Sequence, residues 1–158
     1  MAELGDRERK LQSLGFSPEC NLKPGAIYRP VVVDGTTAYV AGCVPFDENQ
    51  KLASKGKVPS QVPLDDARRA AALCAANILR LLRQELGSLD RVERVLKVVG
   101  FVNSDPMFEE QHLVINGASQ LLVDVLGEAG WHARSAVGMA ALPLGASVEV
   151  EAIVKVKA

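Results

Sequence analysis

The sequence predicts an α+β fold: a single β-sheet with two long helices on one face. Three observations carry that prediction. A β-rich pair of runs flanks an Asp-Gly dipeptide near the start. Two long stretches, 64–86 and about 107–126, carry apolar residues at helical spacing. Between and after them lie strand-like runs, 94–102, 133–141 and 147–157. The order is hairpin, helix, strand, helix, strand, strand, so helices and strands do not alternate regularly and a mostly parallel doubly wound sheet is disfavoured. A ferredoxin-like split arrangement is the nearest competitor.

The elements follow in chain order. Residues 5 to 15 read as a short charged helix whose only apolar anchors are Leu4, Leu11 and Leu14. Gly15, Pro18, Pro24 and Gly25 then punctuate a loop. Val31-Val32-Val33 and Thr36 to Val40 enclose Asp34-Gly35, a pair suited to a type I′ turn because both central positions of that turn need positive φ. Residues 45 to 63 hold three prolines and Gly56 and read as a long excursion. From Leu64, the residues Ala67, Ala70, Ala71, Cys74, Ile78, Leu81 and Leu82 form one stripe, with Asp65 and Asp66 at the dipole-favoured start and Gly87 at the end. The 94–102 strand is apolar on both faces. Asn103, Ser104 and Asp105 read as the N-cap region of the next helix, which buries Phe108, Val114, Ile115, Ala118, Leu121, Leu122 and Val125 and stops at Gly127. Leu142-Pro-Leu-Gly145 turns the last two strands.

A chain of 158 residues fits one domain. Its 18 basic and 19 acidic side chains leave a net charge of −1, which argues against a dedicated nucleic-acid binder. The first ten residues contain no apolar leader region, and the longest unbroken apolar run, Ala70 to Ala76, is far short of the roughly 20 residues of a membrane span. Cys20, Cys43 and Cys74 are odd in number and form no C-x-x-C pair. With only two histidines, neither a disulfide framework nor a zinc site is expected. The expectation is a reduced, cytoplasmic protein without membrane association. One further expectation concerns assembly. Two helices cover one face of the sheet, yet strands 31–33 and 95–102 are apolar on both, so a partner subunit should cover the second face unless loop 45–63 does.

Few polar residues stand in apolar company. Arg134, among small residues at a strand start, reads either as a fork for a carboxylate or as a solvated or structurally paired arginine. Glu149 and Glu151 share one face of the last strand, opposite Val148, Val150, Ala152, Val154 and Val156. They fit acid/base work or, as solvated strand faces commonly look, a plain exposed face. Asn116-Gly117 interrupts the apolar face of the second long helix, at a close-packing point or at a site. Tyr28 is a loop anchor or a hydroxyl donor. His132, beside Trp131, reads as a packed or surface residue rather than a base, and Cys43 is a candidate thiol without a supporting histidine context.

Ala133-Arg-Ser-Ala-Val137, Leu142-Pro143 and Val148-Glu-Val-Glu-Ala-Ile153 together resemble the C-terminal signature of the Rid family, the reactive intermediate (imine/enamine) deaminases. Tyr39-Val-Ala-Gly-Cys-Val-Pro45 is similar to that family's strand ending in Ser-Gly-Gln-x-Pro. Gly56 to Val62 and Val98 to Val102 also fit. The resemblance runs from about Gly25 to Lys157. It divides the chain into an N-terminal extension with a short helix (1–24) and a Rid-like domain (25–158), the arrangement of a long-form member.

The resemblance implies a chorismate-mutase-like fold, assembled as a homotrimer with the sheets facing inward and a small-carboxylate cleft between subunits. Arg134 would clamp the substrate carboxylate and Glu149 would orient or activate water. Tyr28, Asn116, Gly42 and Ala136 would line the cleft. The implied reaction is hydrolysis of 2-imino or enamine acids to 2-keto acids and ammonia, with no metal or organic cofactor. The alternative is a non-enzymatic carboxylate-binding trimer acting as a sensor or regulator. An endoribonuclease label carried by some relatives fits the near-neutral charge poorly. Three departures leave the substrate open: Ala136 where relatives often have cysteine, Cys43 where they have glutamine, and Gly25-Ala-Ile-Tyr28 where they have Gly-Pro-Tyr.

Overall fold

Strand order in the sheet is decided by which apolar runs can pair, and here it is β1-β2-β5-β3-β4. The computed structural model describes residues 4–19 and 22–158; Cys20 lies outside them. Its elements are α1 (Asp6–Ser13), β1 (Val31–Asp34), β2 (Thr37–Cys43), α2 (Leu64–Leu86), β3 (Val92–Asn103), α3 (Gln111–Leu126), β4 (Ala133–Met139) and β5 (Val148–Val156). Pairing is antiparallel for β1–β2, β2–β5 and β5–β3. It is parallel for β3–β4, whose connection is α3. The expected α+β fold, one sheet backed by two long helices, is the one observed.

The hairpin forms, one residue out of phase with the predicted turn. Asp34 pairs with Thr37, so Gly35 and Thr36 are the two turn residues. Only Gly35 has positive φ, at 58°, which is the pattern of a type II′ turn, with glycine at the first central position. The α2 stripe packs as its spacing requires, with Ala67, Ala71, Cys74, Ile78 and Leu82 all fully buried. Gly87, at φ 85°, ends the helix by donating its N–H to the Arg83 carbonyl at 2.8 Å.

The helix layer lies tight on the sheet. A Cβ on Gly100 of β3 would sit 2.4 Å from Ile115 Cδ1, and one on Gly117 of α3 would sit 2.0 Å from the Arg68 carbonyl oxygen on α2. Glycine lets two helix backbones approach here, so Gly117 of the Asn-Gly pair marks a close-packing point. The helix α1 is anchored by Leu11, whose complete burial is worth about 2 kcal/mol. Its buried Glu8 accepts the Leu89 N–H at 2.7 Å, and Arg7 donates to the Leu89 and Val92 carbonyls at 2.9 and 2.6 Å.

Residues 103–105 do not cap a helix. Asn103 ends β3, its side chain donating to the Ala146 carbonyl at 3.1 Å. Ser104 bridges to Val58, and the Asp105 carboxylate accepts the Ser60 N–H and hydroxyl, each at 3.0 Å. Ser104 and Asp105 are spent on docking the 45–63 excursion, and the Asn103 amide on the turn before β5, so α3 starts only at Gln111. The excursion buries Val58 and Val62 at one end of the sheet. It leaves the helix-free face open, where Val32, Tyr39 and Val137 are 47, 49 and 40% exposed.

Candidate functional site

Pairing register decides which face each candidate residue occupies. Arg134 lies opposite Val98, and Ala136 opposite Gly100, both on the helix side. Glu149 lies opposite Phe101, whose β4 partner is Val137, on the open side. Arg134 and Glu149 of one chain are therefore on opposite faces of the sheet. The sequence candidates fall into two groups.

The first group is built around Arg134. Its Nη1 donates to Asn116 Oδ1 at 2.9 Å and Ser119 Oγ at 3.1 Å, and its Nη2 donates to the His112 carbonyl at 3.2 Å. Three of five N–H groups are thus occupied by neutral acceptors on α3. One on Nε and one on Nη2 have no acceptor, and no carboxylate lies within ion-pair distance, among the described residues. An arginine oriented by neutral groups keeps its full charge for an outside anion. The residue opens onto a groove of about 810 Å³ bordered by Phe16, Arg69, Asn116, Trp131 and His132. Ala136 shares Arg134's face and packs at the margin of the core.

The second group gathers at the end of β2. A register irregularity between Val40 and Cys43 brings Gly42 against β5. A Cβ on Gly42 would lie 2.1 Å from Glu149 Oε1, so the glycine makes room for that carboxylate. Burial pushes the Glu149 carboxyl above its ordinary value, and the Glu151 charge pushes it the same way. Tyr28 and Gly42 border a small pocket that Cys43, Asn77 and Leu81 complete. The Cys43 thiol is pushed up to about 12, first by burial and then by the Glu149 charge. It stays protonated at neutral pH, and a buried thiol is a poor nucleophile.

Two side chains near Arg134 were not among the sequence candidates for the site. Ser119 receives an Arg134 N–H, and partly buried His132 bonds to Ser119 Oγ at 2.9 Å and the Gly130 carbonyl at 2.7 Å. The signal was present in the spacing. Asn116 and Ser119 are three apart on one helix face, and His132 is two residues before Arg134 on an extended chain. Burial holds the His132 ring below its ordinary pKa. The Gly130 bond raises it and the Arg134 charge lowers it further. Among the described residues no cluster of three metal-ligating side chains occurs, and no helix is long and apolar enough to cross a membrane.

Comparison with known proteins places the chain among relatives. A family profile described as endoribonuclease L-PSP matches residues 19–156. Protein TCP17 of Trypanosoma cruzi is 40% identical over 146 residues, covering 92% of this chain and 91% of that protein. The crystal structure of Atu1372, a protein of unknown function from Agrobacterium tumefaciens, superposes with a TM-score of 0.89 at 48% identity, over 97% of this chain and 94% of the other. RidA from an Antarctic Psychrobacter superposes with a TM-score of 0.61 at 27% identity, over 85% of this chain and 92% of the other.

Proposed function

Because this chain belongs to the endoribonuclease L-PSP family, within the Rid superfamily, we propose that it hydrolyses 2-imino and enamine acids to 2-keto acids and ammonia in a cleft between subunits. The observation that carries this reading is the uncommitted Arg134 guanidinium, held by three neutral acceptors with two N–H groups left for a carboxylate. Bidentate capture fixes the neighbouring C=N carbon in place, so part of the entropy of reaction is removed before the chemistry begins.

The Glu149–Gly42–Tyr28 group supplies the water side. A carboxylate with a raised pKa is the stronger base, and no protein donor occupies Glu149 among the described residues. Glu149 takes a proton from water as its oxygen adds to the imine carbon. That proton passes to nitrogen to give a carbinolamine. Glu149 then takes the hydroxyl proton and hands it to the amino group as the C=O forms and the C–N bond breaks, so ammonia leaves: imine plus water yields keto acid plus ammonia. No residue in this scheme calls for a metal or organic cofactor.

The opposite-face placement of Arg134 and Glu149 gives the subunit cleft its reason. The Arg134 group of one subunit and the Glu149 group of its neighbour make one site, with the open sheet faces buried in a homotrimer. The exposed Val32, Tyr39 and Val137 support such burial. The buried free thiols Cys43 and Cys74 suit a reducing, cytoplasmic setting.

The test is ammonia release from 2-imino acids generated freshly by an amino-acid oxidase, above the spontaneous rate. A second reading, carboxylate sensing without turnover, is favoured by the fact that the Arg134 group is complete within one chain. Saturable keto-acid binding with no rate above background would select it.

A further inference from the structure

Beside Arg134 runs a hydrogen-bond chain whose direction is forced. The Gly130 carbonyl can only accept, so His132 Nδ1 carries a hydrogen and donates it at 2.7 Å. In the neutral ring Nε2 is then an acceptor, and the Ser119 hydroxyl donates to it at 2.9 Å. With its hydrogen committed, Ser119 Oγ turns a lone pair toward Arg134 Nη1, 3.1 Å away. The ring thereby sets the direction of a hydroxyl that sets the position of the guanidinium.

Charge completes the picture. The other charged side chains lining this groove already have partners: Arg68 faces Asp65 at 3.7 Å, Arg69 is taken by Asp66, and Asp124 accepts from Gln120 at 2.8 Å. Among the described residues Arg134 is the cation there without a carboxylate partner, and it disfavours a second positive charge on His132. An anion bound on Arg134 cancels that field. Coupling of this kind is reciprocal: if the carboxylate favours the imidazolium, the imidazolium favours the carboxylate.

We infer that Ser119 and His132 are positioning residues of the carboxylate site, and that a carboxylate captured on Arg134 is accompanied by uptake of a proton on His132. The inference rests on Arg134 being the carboxylate clamp and adds to that reading a pH-dependent affinity. Protonation places a hydrogen on Nε2, which Ser119 Oγ accepts while its own hydrogen turns away. The Arg134 contact is kept, and a second positive charge faces the groove.

The experiment uses the full chain and 2-oxobutanoate, a stable keto acid bearing the same carboxylate. Calorimetric titration in two buffers of different ionisation heat, at several pH values from 5.5 to 8, reads affinity and proton uptake together. Wild type should bind about threefold to tenfold tighter at pH 5.5 than at pH 8, with fractional proton uptake. His132→Gln should bind with neither effect, and Ser119→Ala should bind severalfold more weakly throughout. With only two histidines in the chain, NMR titration of the ring protons follows His132 in the wild type itself, so the test stands even if a variant fails to fold. The His132 titration should move to higher pH on adding the keto acid, and should not move in Arg134→Gln. Binding that Arg134→Gln abolishes, but that leaves the His132 titration unmoved, overturns this inference and spares the clamp. Binding that Arg134→Gln leaves intact, or no binding to wild type, overturns the clamp and the inference together.

Discussion

Replacing Arg134 by lysine separates charge from geometry. Both side chains are cationic, but only the guanidinium can satisfy Asn116 Oδ1 at 2.9 Å, Ser119 Oγ at 3.1 Å and the His112 carbonyl at 3.2 Å and still present two N–H groups outward. An ammonium has three N–H groups and no planar fork, so at least one charge-assisted hydrogen bond to the ligand is lost. Such a bond is worth about 1.5–3 kcal/mol, or roughly a tenfold to 150-fold fall in kcat/KM. Stability should change little, because Asn116 and the groove are exposed and water replaces the lost donors. The assay is keto-acid formation from a 2-imino acid generated in situ, background subtracted, alongside a thermal melt of the same sample. A lysine variant with wild-type kcat/KM would refute the bidentate argument. A lysine variant with a much lower melting temperature would reassign the residue to structure.

Glu149→Gln should abolish turnover while keto-acid binding persists. The activity of the wild type should fall with decreasing pH, at a point above that of an ordinary glutamate, since the folded-state pKa is raised and the ionised form is the working base. Glu151→Gln removes the charge that helps raise it and should shift this acid limb to lower pH, read from the kcat/KM profile. The methyl of Gly42→Ala meets the Glu149 side chain at Oε1, Cδ and Cγ rather than backbone, so it should reduce activity at least tenfold with a near-normal melt. Gly117→Ala instead meets the backbone carbonyl of Arg68, and overpacking there should cost about 1–3 kcal/mol, a drop of several degrees in melting temperature. Light scattering should return three times the chain mass of 16.9 kDa, and Val137→Asp, on the open face, should shift the trimer toward smaller species. A wild-type monomer at micromolar concentration would remove the subunit cleft.

The fold was legible because its signals are local. The α2 stripe from Ala67 to Leu82, the alternation of β5 and the stops at Gly87 and Gly127 each follow from backbone periodicity and from the conformational freedom of glycine. Neighbouring residues encode these directly. Where the structure departs from local preference, a distant partner outweighs it. The hairpin turn centres on Gly35-Thr36 because the β1–β2 register, set by burying Val31 with Val40, leaves those two residues unpaired. Asn103 to Asp105 have good capping chemistry, but the 45–63 excursion supplies Val58 and Ser60 as competing partners, Ser60 lying 45 residues from Asp105 in sequence.

The site divides in the same way. Arg134, Glu149, Tyr28, Asn116, Gly42 and Ala136 could be nominated from sequence by side-chain type and family resemblance, since charge and hydrogen-bonding capacity belong to the residue itself. That Arg134 and Glu149 lie on opposite faces follows from the parallel register of β4 on β3 and the antiparallel register of β5. No single strand carries that information. The same holds for His132: its neighbours in sequence say nothing of Ser119, which reaches it only because α3 crosses from β3 to β4 and returns its third turn to the start of the edge strand. Residue chemistry was written in the sequence. Which groups work together was decided by the tertiary structure, because hydrogen bonds and charges act over a few ångströms of space, whatever their separation along the chain.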